Sequence, residues 1–325
     1  MAGTILFRVI SAMLLSVTGV FIIGGNIVCL LILHRVKTIN EVTKTFMQSL
    51  ALADLGIGLV LNVMSTAAAA AGHWPFSINM CGFYGVSLVF LEPASLLTLV
   101  IISAERYIAV MRPFQYQELL TVTRARVIVV IAWISALIFA LLYGPLLGRV
   151  PVYYGPFNMC FYDPVDPTEL DFWGISSVCI FVILPFFLIV TIYTQLYFVA
   201  RKHARQIARQ QGGAGGAGAN ESRGTITFLI ITAGFAIAWT PFATTVLYGN
   251  FALKRPSPYL GFICLMMFQC NSWMNVIVYS WRNRSFREQL VKLWRKISGV
   301  GGGSNRVAAL PDSSNTPNTH DTTTR

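Results

Sequence analysis

Seven apolar stretches, each about as long as a lipid bilayer is thick, limit this chain more than any other feature. A crossing helix needs about 20 mainly apolar residues, and the runs Val9–Leu33, Lys44–Ala70, Cys81–Met111, Val127–Leu147, Phe172–Val199, Thr225–Tyr248 and Pro258–Trp281 all qualify. Hydrocarbon offers no water to backbone N–H and C=O groups, so such segments must satisfy them internally as helices. The expected fold is an all-α membrane protein, a seven-transmembrane helix bundle with an amphipathic cytoplasmic helix after helix seven. Its expected parts are a short extracellular N-terminus (1–8), the bundle (9–281), the amphipathic helix (282–297) and a disordered cytoplasmic tail (298–325). A cleaved leader is the rival reading of the first run, but that run is too long and lacks a small-residue cleavage site after a basic start.

The formal charge of +11 would suggest nucleic acid in a soluble chain. Here the basic residues cluster between the runs, in His34–Lys37, Arg124–Arg126, Arg201–Arg205 and Arg282–Lys296, while Asp163–Asp171 is acidic. Basic loops stay cytoplasmic, which puts the N-terminus outside and, after seven crossings, the C-terminus inside. No basic patch is interleaved with stacking aromatics on a soluble module, so nucleic acid is excluded as a partner. The segment Gly212–Gly218 follows no strand and is too irregular to cradle phosphate, and it reads as a flexible hinge. Ser285–Ile297 alternates Phe286, Leu290, Val291, Leu293, Trp294 and Ile297 with Arg287, Lys292, Arg295 and Lys296, a pattern suited to the inner leaflet surface.

Of six cysteines, Cys29, Cys179, Cys264 and Cys270 lie in apolar runs and read as reduced core residues. Cys81 and Cys160 sit on the outer face, where oxidation is permitted, and are expected to form a disulfide that draws the loop between helices four and five over helix three as a lid. The residues from Cys81 to Arg106 rise roughly 37 Å as a helix, a full tilted crossing. Helix three therefore joins an oxidisable thiol outside to the charged pair Glu105–Arg106 inside, where uncompensated charge is expensive.

Asp54 is ionisable and falls near the middle of helix two. Ser95, Asn271, Ser272 and Asn275 are its candidate partners, with Asn271 and Asn275 four apart on one helical face. Oxygen-bearing side chains around one carboxylate suit a small hydrated cation such as sodium, and a water-bridged polar network accounts for them equally well. No other metal spacing occurs, and no cofactor is implied.

These residues resemble a family. Asn26, Leu50–Asp54, Trp74, Cys81 with Cys160, Glu105–Arg106–Tyr107, Trp133, Pro185, Tyr193, Phe235 with Trp239–Thr240–Pro241, and Asn275 with Tyr279 occur in order, spread over all seven helices. Together they are similar to the rhodopsin-like (class A) G-protein-coupled receptors from Gly25 to Phe286. The loop Arg112–Tyr116 and the run Asn271–Asn275 look most like amine-like and orphan members. The resemblance implies a plasma-membrane receptor in which Glu105 and Glu221 hold Arg106 at rest. Activation would swing helix six about Pro241, repack Phe235 and Trp239, and turn Tyr193 and Tyr279 inward, opening a cavity for a heterotrimeric G protein.

Three departures matter. Asn275–Val276 stands where the family carries Asn-Pro, Ala238 replaces a common cysteine, and Pro93 is an internal proline expected to break helix three. The upper cavity is expected to be lined by Leu88, Val89, Glu92, Ser176, Ser177, Trp239, Phe242, Val246, Leu265 and Gln269, an apolar small-molecule site. Leu88 stands where amine receptors carry aspartate, which disfavours an ordinary aminergic receptor, yet Glu92, one turn deeper on the same face, is an acid available to a cation. Its plainer reading is a protonated glutamate hydrogen-bonded to a neighbouring helix. Gln269 stands where opsins carry their retinal lysine, which argues against a covalent chromophore. Ser313, Ser314, Thr316, Thr319, Thr322, Thr323 and Thr324 are candidate targets of a receptor kinase, whose phosphates would recruit arrestin. A transporter or channel using Asp54, Glu92 and Arg106 is the competing class, but it lacks the inverted repeats expected of transporters. An intramembrane enzyme lacks a catalytic constellation.

Overall fold

The computed structural model describes residues 2–163, 171–210, 233–234, 236–249, 251, 257–282 and 284–298. It forms two units, Met1–Leu290 and Val291–Arg325. The first contains the bundle. In the second, the described residues continue the last helix, Arg284–Ser298, with Val291 and Trp294 exposed as an apolar surface. Among the described residues six helices are long and apolar enough to cross a membrane. Residues 236–249 supply most of the described part of helix six.

Helix one spans Ala2–Arg35 and so begins ahead of the expected Val9. Its outer turns are tied down by Arg8, whose Nη2 donates to the Ala70 carbonyl at 2.7 Å, at the end of helix two. Helix two starts at Glu41, capped by Asn40, whose Oδ1 accepts from the Val42 N–H at 2.9 Å. It winds through a π-helical turn, Ile57–Asn62, and ends at Ala71. Gly72 then takes φ 72°, a left-handed cap that a side chain would strain.

Helix three is unbroken from Ile78 to Met111, contrary to the expected interruption at Pro93. A proline removes one backbone bond, and in a membrane bundle packed neighbours hold the helix through it. Helix four is Val122–Tyr143. Helix five starts at Phe172, passes through a π-helical turn at Cys179–Ile183 and continues from Leu184 to Gln210. The π turn immediately precedes Pro185, where the regular bonding pattern must be relieved. Helix seven is continuous over Pro258–Arg282, as expected without the family's proline.

Helix three is the central strut, packed against helices two, four and five, while helix one lies against two and seven. Ala53, Ala94 and Ala136 are fully buried where helices two, three and four meet. Small side chains there let backbones approach, the main source of cohesion where lipid is as apolar as the core. Beside them Trp133 meets Phe90 edge-on, centroids 5.5 Å apart, and donates from Nε1 to Ser49 Oγ at 2.9 Å. Outward-facing Val20, Ile131 and Phe187 are exposed, as lipid contact requires. Cys29 and Cys264 are buried and Cys270 half-buried, but Cys179 is exposed and so is not the core residue expected.

One element departs from the all-α expectation. Val150–Tyr154 and Met159–Asp163 form an antiparallel hairpin joined by the turn Gly155–Phe157, with Asn158 at φ 50°. The disulfide Cys81–Cys160, as expected, ties it to the N-terminal end of helix three. The Tyr162 ring lies against Gly82 and Gly85 of helix three and Gly144 after helix four, where any added Cβ would crowd it. Arg149 clasps the Tyr162 carbonyl and bonds both carboxylate oxygens of Asp171, at 2.7 and 2.8 Å. Burial acts to lower the pKa of this guanidinium, and the Asp171 carboxylate outweighs it, so the net shift is upward. Tyr153, whose phenol burial pushes up to about 12, donates to Asn158 Oδ1 at 3.1 Å.

Candidate functional site

At the inner end of helix three, Arg106 donates through Nε and Nη2 to the two oxygens of Glu105, a forked ion pair between chain neighbours. Two further groups, which sequence reasoning missed, complete the cage. Thr43 of helix two donates to Glu105 Oε1 at 2.9 Å and accepts from Arg106 Nη2 at 2.5 Å. Tyr116, in the short helix Tyr116–Leu119, donates to the same Oε1 at 2.5 Å. Burial and the neighbouring carboxylate hold the Tyr116 phenol well above its ordinary value, so it stays protonated as a donor. The polar spacing after Pro113 could have marked Tyr116; nothing local marks Thr43. Glu105 is buried and Arg106 only partly, leaving the cation the more accessible partner. Glu221 and Phe235 lie outside the described residues. Tyr193 and Tyr279 are both buried, Tyr279 with its ring 6.2 Å from that of Phe286.

At mid-depth Asp54 is fully buried. Ser95 donates to its Oδ1 at 3.0 Å and Asn275 to its Oδ2 at 2.9 Å. Ser272 is a third close neighbour, and Asn26 donates to the Ser272 carbonyl at 2.9 Å. Asn271 is buried beside them in helix seven. Among the described residues, Asn271 Nδ2 and Asn275 Oδ1 have no hydrogen-bond partner. The five residues singled out from sequence thus share one buried level of the bundle, with an acceptor oxygen still open.

Above that level the expected lining divides. Leu88, Glu92, Trp239, Phe242, Leu265 and Gln269 are buried, while Val89, Ser176, Ser177 and Val246 are half-buried. Gln269 Oε1 accepts from Asn62 Nδ2 at 2.5 Å, at the end of the π turn of helix two. Ser177 turns its hydroxyl back to the Gly174 carbonyl at 2.7 Å. Glu92 Oε1 is buried without a hydrogen-bond partner among the described residues. Trp239 and Phe242 join a cluster with Phe268 of helix seven, the ring centroids 4.7 and 4.8 Å from it.

Comparison with known proteins agrees with this arrangement. The dog (Canis lupus familiaris) "Histamine H2 receptor" is 27% identical over 89% of this chain and 80% of its own length. The mouse (Mus musculus) "Alpha-1D adrenergic receptor" is 27% identical over 84% of this chain but 55% of its own length. In fold, squid rhodopsin superposes with a TM-score of 0.76 at 20% identity, over 96% of this chain and 90% of that one. Residues 25–279 match the family described as "7 transmembrane receptor (rhodopsin family)". The buried Asp54, the Glu105–Arg106 ion pair and the Cys81–Cys160 disulfide all fall in the matched span, and the chain belongs to the rhodopsin family of seven-transmembrane receptors.

Proposed function

We propose that this G-protein-coupled receptor passes the binding of a small extracellular ligand to a cytoplasmic heterotrimeric G protein by releasing Arg106 from its cage. The observation that carries this reading is the Glu105–Arg106–Thr43–Tyr116 cluster. A forked ion pair on the half-open inner end of the central helix is stable enough to hold and accessible enough to yield. The N-terminus lies outside and the basic segments inside, in the plasma membrane. In this reading repacking of Trp239 and Phe235 swings helix six about Pro241 and Tyr193 and Tyr279 then support the open form, with Glu221, outside the described residues, the second acid that the family resemblance implies for Arg106. The transporter alternative gains no support from the family.

The relatives named for histamine and adrenergic ligands make small amines the first class to screen. Glu92, with an open carboxylate oxygen, is the group a cation would meet if the expected lining of Leu88, Val89, Ser176, Ser177, Val246, Leu265 and Gln269 forms the ligand site. Receptor in nanodiscs, screened with small amines against a panel of Gα subunits, is expected to accelerate nucleotide exchange on at least one subunit. A panel with no response to receptor or ligand would overturn the reading.

Sodium fits the Asp54 level chemically. The carboxylate, the Ser95 and Ser272 hydroxyls, and the open Asn275 Oδ1 beside Asn271 supply hard oxygen donors. A bound sodium ion would neutralise Asp54 and brace helices two, three and seven against rearrangement. Asp54→Asn is expected to remove any sodium dependence of G-protein or ligand affinity, read by titrating sodium against potassium at fixed ionic strength. An unchanged sodium response in that variant would retire the ion site. A receptor kinase acting on Ser313, Ser314 and the tail threonines, arrestin docking and lipid contact by the last helix complete the proposed partners.

A further inference from the structure

The hairpin between helices four and five does more than cover the bundle. Phe157 is almost fully buried, its ring 5.6 Å from Phe242 of helix six, and Phe161 stacks over the same ring at 6.3 Å. Phe242 then meets Phe268 at 4.8 Å, and Phe268 meets Trp239 at 4.7 Å. One continuous file of rings therefore runs from the loop between helices four and five to Trp239, two residues before Pro241. The loop end of this file is anchored four times. The disulfide holds Cys160 next to Phe161, and the glycine-lined slot holds Tyr162. Arg149 clasps the Tyr162 carbonyl and Asp171, and the Pro156 carbonyl is pressed so close to Gly261 of helix seven that a Cβ there would collide with it. Asn158, in the left-handed region, reverses the chain directly after Phe157. With this file packed, the Arg106–Glu105 pair is closed.

We propose that Phe157 and Phe161 form a tethered inhibitory ligand: the chain's own hairpin fills the space above Phe242 and holds helix six in the resting packing. Well-packed interiors have discrete arrangements rather than continuous give, so rings wedged against Phe242 oppose any repacking of Trp239. An external ligand at this level must displace the Phe157 ring or share its wall. The proposal rests on the reading of Trp239 and helix six as the moving parts, so its test has two readouts.

The first is nucleotide exchange by unliganded receptor in nanodiscs. The double variant Phe157→Ala, Phe161→Ala is expected to raise it at least fivefold, and Phe157→Leu, Phe161→Leu to restore most of the restraint. The second is independent of any G protein: deuterium uptake by peptides covering residues 236–249, expected to rise several-fold in the alanine variant with helix four peptides unchanged. Faster uptake without faster exchange keeps the tether and counts against helix six as the transmitter. Unchanged uptake in the folded alanine variant, or a fall in resting exchange, overturns the tether.

Discussion

Replacing Arg106 with alanine is expected to abolish receptor-stimulated nucleotide exchange, while Glu105→Gln is expected to raise resting exchange about tenfold. The two changes cut the same contact from opposite sides. Without Arg106, Glu105 keeps the Thr43 and Tyr116 hydroxyls as donors but loses its counter-charge, so the variant is expected to be less stable, and the cation offered to the G protein is gone. Without the Glu105 charge, Arg106 loses its forked partner. Removing one member of a buried pair costs about 3–5 kcal/mol, less here because the arginine is partly exposed, with a side-chain accessibility of 22%. If about 1.4 kcal/mol of that falls on the resting state alone, the active population rises tenfold. Tyr116→Phe, which removes one donor from Glu105 and no charge, should raise exchange by a smaller factor. Exchange on a matched Gα subunit, with thermal unfolding as the control for folding, checks all three.

Breaking the outer disulfide is expected to have the largest effect on stability. Cys81 and Cys160 are separated by 79 positions, and freeing a loop of that size returns about 4.5 kcal/mol of chain entropy to the unfolded state in the loop-closure account. Cys160→Ala should therefore lower the unfolding temperature of purified receptor by several degrees and release the hairpin. Because the same bond anchors Phe161, resting exchange per folded receptor should rise in the same variant. A variant as stable as the parent would show that the glycine slot and the Arg149 clasp hold the hairpin alone.

Much of this was legible in the chain because lipid leaves few options. Apolar length dictated the crossings, and Cys81 and Cys160, set apart from the apolar runs that hold the other four cysteines, their bond. Asp54 pointed to Ser95 and Asn275 since a carboxylate at mid-bundle must find donors, and the donors nearby in sequence pattern were few. The misses share a physical cause. Thr43 and Tyr116 are ordinary in their own segments and gain meaning only when helix two and an inner turn fold against Glu105. Phe157, Phe161 and Phe268 looked like any of 22 phenylalanines until the hairpin placed two of them on Phe242. Pro93 misled for the opposite reason: a local rule forecast a break, and tertiary packing on both sides of helix three overrode it. The π turns at Ile57–Asn62 and Cys179–Ile183 leave no pattern that hydrophobic periodicity reveals, yet the first of them ends on Asn62, which binds Gln269.

The central claim is that a stimulus from outside frees a caged guanidinium inside, and that nothing crosses the membrane except this rearrangement. One measurement addresses it directly: receptor reconstituted in sealed vesicles, with Gα nucleotide exchange and ion flux recorded on the same preparation, for the parent and for Arg106→Ala. The account predicts exchange without flux in the parent and neither in the variant. Flux that persists in the variant, with no exchange on any Gα subunit in either, would contradict it.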